Sequence, residues 1–195
     1  MIAARNFYRL TPEEYFEWES RQDVRHEYFD GETFAMAGGT LPHSTISVNV
    51  TTALKSRLRG RGCLVLNSDA KVGISAKGPF TYPDVSVTCD DRDRTAKDFA
   101  QYPTVIVEVL SPSTEAYDRG GKFALYRQVE SLQDYVLVSA ETRLVEVFHR
   151  NDRGRWELSV YEESGDVVLE GLDVILTIEE IYEDVTFEAI TIESP

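Results

Sequence analysis

The sequence predicts one α/β domain spanning residues 1–195, a mixed sheet with helices on both sides. Three observations predict it. Short runs rich in Val, Ile and aromatic residues recur between turn signals, as strands do. Between His43 and about Arg59, the residues Ile46, Val50, Ala53, Leu54 and Leu58 fall at helical spacing. The strands come first as hairpin-joined pairs, then as strand, helix, strand, an order that suits a mixed sheet.

Taken in order, Thr11-Pro12-Glu13-Glu14 reads as a helix start. Thr11 caps, Pro12 suits the first helical position, and Glu14 completes a capping box. The helix is expected to run to about Ser20, with Tyr15, Phe16 and Trp18 packing inward. From His26 to Met36 the chain folds back at Asp30-Gly31, a dipeptide that tight hairpins favour because both residues need positive φ. Glu27 opens that hairpin and reads either as a solvated strand residue or as a carboxylate near a site. Residues 38–42 read as a loop, and the 43–59 helix follows. Its polar side carries Lys55, Arg57 and Arg59, with Arg61 just beyond. Such a cluster is ordinarily a solvated face, yet it is also the sequence's best candidate for touching nucleic-acid phosphate. His43, near the helix start, reads first as a structural hydrogen-bonder.

Residues 63–66, 70–74, 82–89 and 104–110 read as strands, with a polar loop over 90–94. Asp118 suits the cap of a helix from about 119 to 129, weakened by Gly120 and Gly121. Glycines there also let another group approach the backbone closely. Two strands follow at 135–138 and 144–148, then a last hairpin from 156–161 and 167–169, and a short helix over 176–182. Cys63 and Cys89 lack metal spacing and are expected as small core residues rather than a disulfide.

The net charge is −14, unevenly spread. Twelve of the 34 acidic residues and none of the 20 basic ones lie after Arg155, so the earlier chain is nearly balanced. A strongly acidic protein is a poor non-specific nucleic-acid binder, but the excess belongs to the C-terminal end. No apolar run is long enough for a membrane span, and Met1–Arg5 shows no leader-like apolar core. A cytoplasmic location is the expectation.

The chemistry gathers in two runs, 82–87 and 105–110. Each carries one carboxylate, Asp84 and Glu108, among Val and Ile. A carboxylate there is costly unless it is paired or holds a metal. Two on neighbouring strands suggest a shared site. Mg²⁺ takes hard oxygen ligands and keeps waters, so Asp84, Glu108 and the backbone carbonyl of Val109 would suffice. Downstream, Asp118, Lys122 and Tyr126 are spaced to share one helix face. The plain reading is a helical Asp–Lys pair worth about 0.3–0.5 kcal/mol. The functional reading is a lysine that orients water or neutralises charge on a phosphate. Asp, Glu and Lys together point to metal-assisted hydrolysis of a phosphodiester.

The run from Tyr82 to Val87, the run from Pro103 to Thr114, and Asp118, Lys122 and Tyr126 resemble the Uma-type "putative restriction endonuclease" family. His26 to Glu32 and His43-Ser44 are similar too. That family belongs to the PD-(D/E)xK nuclease superfamily. The resemblance covers about residues 8–185. It implies a restriction-endonuclease-like fold, an endonuclease acting on DNA, and Mg²⁺ or Mn²⁺ on Asp84 and Glu108. In the wider superfamily the lysine lies two residues after the glutamate, where this chain has Leu110. Lys122 is then the candidate for that role, with Glu27, Asp118, Tyr126 and His43 supporting.

Against a nuclease stand the acidic balance, the displaced lysine and no evident DNA-recognition module. The alternative is a nuclease-fold module that binds or regulates without cutting, its acidic end imitating nucleic acid. A glycoside hydrolase with two carboxylates is a third reading, disfavoured because no aromatic sugar platform is evident near these strands. A homodimer is expected, since cutting both strands takes two sites. No Gly-rich phosphate loop points to a nucleotide cofactor.

Overall fold

The computed structural model describes residues 9–36 and 38–187. The first five residues, read above for a leader, and Glu188 and Glu193 of the acidic end lie outside the described residues.

The capping box at Thr11 forms as expected and starts helix α1, Pro12–Glu19. Strands β1, His26–Phe29, and β2, Glu32–Ala35, pair across the Asp30-Gly31 turn. Both turn residues have positive φ, 46° and 91°. Helix α2 spans Leu41–Arg57 and begins two residues earlier than expected. Thr40 caps it by accepting from the His43 N–H. Pro42 lies in the first turn, where a missing N–H costs nothing, so the expected loop is really a helix start.

Six strands form the main sheet: β3 (Leu64–Asn67), β6 (Val85–Thr88), β7 (Pro103–Leu110), β8 (Asp134–Ser139), β9 (Leu144–Arg150) and β10 (Trp156–Glu162). Their spatial order is β10-β9-β8-β7-β6-β3. The β7–β8 pair is parallel and the others antiparallel. A parallel pair needs a crossover, and the helical segment from Glu115 to Tyr126 supplies it. Strands β4 (Val72–Gly73) and β5 (Phe80–Thr81) join β1 and β2 in a smaller sheet ordered β2-β1-β5-β4.

Strand β7 explains the layering. Successive side chains alternate faces. Val105, Val107 and Val109 pack with Ile46, Val50 and Leu54 of α2. Ile106 and Leu110 pack on the other face with Tyr126, Leu132 and Tyr135. Glu108 shares that second face and is buried. Helix α1 covers the small sheet, with Tyr15 against Tyr28 and Phe80. The sheet is thus mixed and flanked by helices on both sides, as the sequence predicts. No helix among the described residues is long and apolar enough to cross a membrane.

Four expectations are corrected. Cys63 and Cys89 form a disulfide. They flank the ends of β3 and β6, whose register sets Leu64 against Thr88 and so brings the two Cα atoms to 4.0 Å. The polar loop over 90–94 is a short helix, α3 (Asp91–Arg94), capped by Asp90. Helical structure after β7 starts before Asp118: α4 is Glu115–Tyr117, a π-helical turn covers Asp118–Lys122, and α5 is Phe123–Tyr126. Asp118 therefore does not cap a helix start, and its N–H donates to the Thr114 carbonyl. The last hairpin is also wrong. Strand β10 pairs with β9, whereas β11 (Asp166–Leu169) pairs with β12 (Val174–Thr177), and helix α6 is only Ile178–Ile181. Alternating apolar residues mark strands but do not choose partners.

Candidate active site

The site forms where the two sheets meet. Tyr82, Pro83 and Asp84 carry the chain from β5 in the small sheet into β6 of the large one. The Val109 N–H donates to Asp84 Oδ2 at 2.7 Å, which ties Asp84 to the C-terminal half of β7. His43 Nε2 lies 3.3 Å from the same oxygen. Gly39 makes that possible, because a Cβ there would sit 2.7 Å from His43 Nδ1.

Lys122 is the hub. Its ammonium lies 3.1 Å from Glu108 Oε1, 3.2 Å from Asp118 Oδ1 and 3.6 Å from Glu27 Oε1. The Tyr126 hydroxyl lies 3.0 Å from both Glu108 Oε1 and Thr81 Oγ1, and its single proton serves one of them at a time. Glu27 also accepts from the Tyr82 N–H at 3.3 Å. The helix-face spacing of Asp118, Lys122 and Tyr126 therefore does bring all three to one place, despite the π turn.

The electrostatics are lopsided. Glu27, Asp84, Glu108 and Asp118 line one cavity with a single ammonium and His43. Burial pushes the Glu108 carboxyl up to about 8; Lys122 pulls it back, and Asp84, Asp118 and Glu27 push it further. Burial likewise raises Glu27. Burial opposes the charge on Lys122, but Glu108, Glu27 and Asp118 outweigh it and hold the side chain as an ammonium. The hydrogen bond to Asp84 raises His43 and favours its protonated form.

Asp118 Oδ1 is buried with no hydrogen bond, although the ammonium is near. Ser86 Oγ and Glu146 Oε2, beside Arg119, are the other such atoms among the described residues. An excess of buried carboxylate with an unsatisfied oxygen fits a hard divalent cation. Among the described residues no three His, Cys, Asp or Glu side chains converge as a ready ligand cage. The donor set suits a cation that keeps most of its waters.

Leu110, the position two after Glu108, packs in the apolar layer beneath the site. The basic cluster does not join the site. Arg57 forms a bidentate pair with Glu180 at 2.8 and 2.7 Å, and Arg61 donates to the carbonyls of Leu172 and Asp173. These residues occupy the far end of α2, about 20 Å from His43 at 1.5 Å per residue. Lys55 and Arg59 line a separate small pocket.

Sequence reasoning missed one wall of the cavity. The cavity's volume is about 640 Å³, and Phe29, Phe34, Met36 and Tyr117 line it along with the charged cluster. Phe29 follows Glu27 by two residues, and Phe34 stands opposite Glu27 in the hairpin register. With a two-residue turn, that shared face was the available signal.

The architecture is that of a nuclease fold. A crystal structure titled as a putative nuclease belonging to DUF820, from Anabaena variabilis, superposes with a TM-score of 0.71 and 17% identity, over 89% of this chain and 97% of that one. The model of the Uma2 family, described as "Putative restriction endonuclease", matches residues 12–179, and the chain belongs to that family. Two relatives come from a Synechocystis strain. The uncharacterized protein slr1290 is 48% identical, over 93% of this chain and 95% of its own length. The uncharacterized protein sll1609 is 28% identical, over 77% and 86%.

Proposed function

We propose that this protein is a metal-dependent endonuclease that hydrolyses phosphodiester bonds in DNA, with the lysine of the PD-(D/E)xK type supplied from a helix. One observation carries the reading: the Lys122 ammonium lies 3.1 Å from Glu108 in the cavity that Asp84 lines. Leu110 leaves the strand without a lysine, and the helix offers one at the same carboxylate.

Asp84, Glu108 and the Val109 carbonyl would hold Mg²⁺ or Mn²⁺. Such an ion would lower the pKa of a bound water and would polarise a phosphoryl oxygen. Lys122 stays protonated, so it serves as a hydrogen-bond donor and a charge, not as a base. It orients the attacking water and offsets negative charge that grows on the phosphoryl oxygens. Glu27 and Asp118 hold the ammonium in place. Tyr126 fixes the Glu108 carboxylate, and His43 and the Val109 N–H fix Asp84.

The test is incubation of supercoiled plasmid with Mg²⁺ or Mn²⁺ at low salt, beside matched Asp84→Ala and Lys122→Ala proteins. The expected result is nicking that falls at least about a hundredfold in both variants. A linear product would point to paired copies cutting both strands. Equal nicking by all three proteins would mean a contaminant. No nicking across metals and DNA forms would overturn the reading in favour of a non-cutting module.

A further inference from the structure

The apolar wall of the cavity does nothing for the chemistry above. Phe34 is 50% exposed and Tyr117 41% exposed, though both border a buried charged cluster. They are held in fixed poses. Phe29 meets Phe34 edge-on at 5.6 Å and Tyr117 edge-on at 6.3 Å. The Tyr117 ring lies across Gly121, where a Cβ would stand 2.5 Å from Tyr117 Cε2. The glycine is thus the seat of the ring. Tyr117 remains a neutral phenol, its pKa pushed up to about 12 by burial and by Glu27.

The cavity is also lined by Ser111, Ser113 and Thr114, neutral donors and acceptors. A duplex binder needs many cations along its backbone track. Among the described residues that line this cavity, Lys122 and His43 are the only basic side chains, and both already face carboxylates. Nearby arginines are engaged as well: Arg9 with Asp30, and Arg119 with Glu115 and Glu146. Exposed aromatics accept stacked bases of unpaired strands whatever the sequence, because every base has a π-face, and bases paired inside a duplex do not offer it.

We infer that the cavity takes an unpaired nucleotide of a DNA strand, its base stacked against Phe34 and Tyr117 and its phosphate over Asp84, Glu108 and Lys122. The inference rests on the nuclease reading for which phosphate is presented. It adds that single-stranded or locally opened DNA, not intact duplex, is the substrate class.

The experiment measures binding of matched single-stranded and duplex oligonucleotides by fluorescence anisotropy, in Ca²⁺ in place of Mg²⁺. A second strand carries 2-aminopurine, whose emission falls on stacking. The expected result is single-strand binding about tenfold or more tighter than duplex, with 2-aminopurine quenching. Phe34→Ala and Tyr117→Ala are each expected to weaken it about tenfold and to relieve the quenching, while Tyr117→Phe keeps both. Gly121→Ala, which leaves every aromatic in place but displaces the ring, is expected to weaken binding without loss of folded protein. Equal affinity for duplex, wild-type binding by the alanine variants, or no binding of any oligonucleotide would overturn the inference. Aromatic-dependent single-strand binding without any cleavage in Mg²⁺ or Mn²⁺ would support it and remove the nuclease reading instead.

Discussion

Buried carboxylates occur in two regions of this molecule and live under opposite conditions. Away from the cavity each has its own donors. Asp93 accepts from the Thr88 hydroxyl at 2.7 Å and from the N–H groups of Gln101 and Tyr102 at 2.8 and 3.0 Å. Asp134 takes His149 at 2.7 Å and the Gly171 N–H at 2.8 Å. In the cavity, Glu27, Glu108 and Asp118 share one ammonium, and an Asp118 oxygen goes without a hydrogen bond. The first arrangement is what stability asks of a buried acid. The second is what remains when a site keeps charge in reserve for a cation and a phosphate.

The largest expected effect comes from removing the shared cation. Lys122→Ala should cost about 3–5 kcal/mol in metal-free denaturation at pH 8, because it leaves buried carboxylates uncompensated. Mg²⁺ should recover part of the loss, and no recovery would mean that the acids do not share an ion. Asp93→Ala comes next. It strands the Gln101 and Tyr102 N–H groups, while the Thr88 hydroxyl keeps the Tyr102 carbonyl at 3.0 Å, and should cost roughly 2–4 kcal/mol, toward the low end of about 1–3 kcal/mol for each unsatisfied buried group. Mg²⁺ should not change that figure, and a metal-sensitive loss would erase the distinction between the regions.

Asp118→Asn should act in the reverse direction. It removes one of several crowded like charges, so metal-free stability should rise by roughly 1 kcal/mol in urea denaturation. A loss of that size would show that the ammonium needs every carboxylate it has. The smallest effect concerns Glu19, the buried last residue of α1, whose partners are the Lys71 ammonium at 2.9 Å and the Tyr82 hydroxyl. Burial raises its pKa, but those two hydrogen bonds win and hold it below the ordinary 4.5. A depressed folded pKa gives stability that is full above the unfolded value and lost as pH falls through the folded one. Glu19→Gln should therefore lower stability at pH 7, by about 1 kcal/mol for the weakened charged hydrogen bonds, and the difference should shrink as pH falls below the ordinary carboxylate range, as read from paired melting curves.

Much of this was legible in the chain. Asp84 and Glu108 stood out because carboxylates rarely sit in Val and Ile runs, and Lys122 because helical spacing joined it to Asp118 and Tyr126. The hairpin at Asp30-Gly31 and the cap at Thr11 announce themselves by local chemistry alone. The disulfide did not, because Cys63 and Cys89 meet only through the register of β3 against β6. Partner choice among β9 to β12 was hidden for the same reason. The start of α2 was masked by glycines and Pro42, which signal loops more often than first turns. The partners of Arg57 and Arg61 in the basic cluster were also hidden, since Glu180 and the 172–173 carbonyls reach them from far along the chain.

The π-helical turn at Asp118–Lys122 has a consequence for how such a chain can change. It holds one residue more than an α-helical turn, so everything beyond it is rotated by about 100° relative to an uninterrupted helix. Deleting Gly120, where an added Cβ would meet nothing within 4 Å, would let the segment anneal into an ordinary helix. The deletion would remove the extra residue together with the wide turn that holds it, leaving Asp118 and Tyr126 on one helix face, now seven residues apart. A single codon gained here is stored as one wide turn, so a helix-borne group and a strand-borne one keep facing each other while the chain between them changes length.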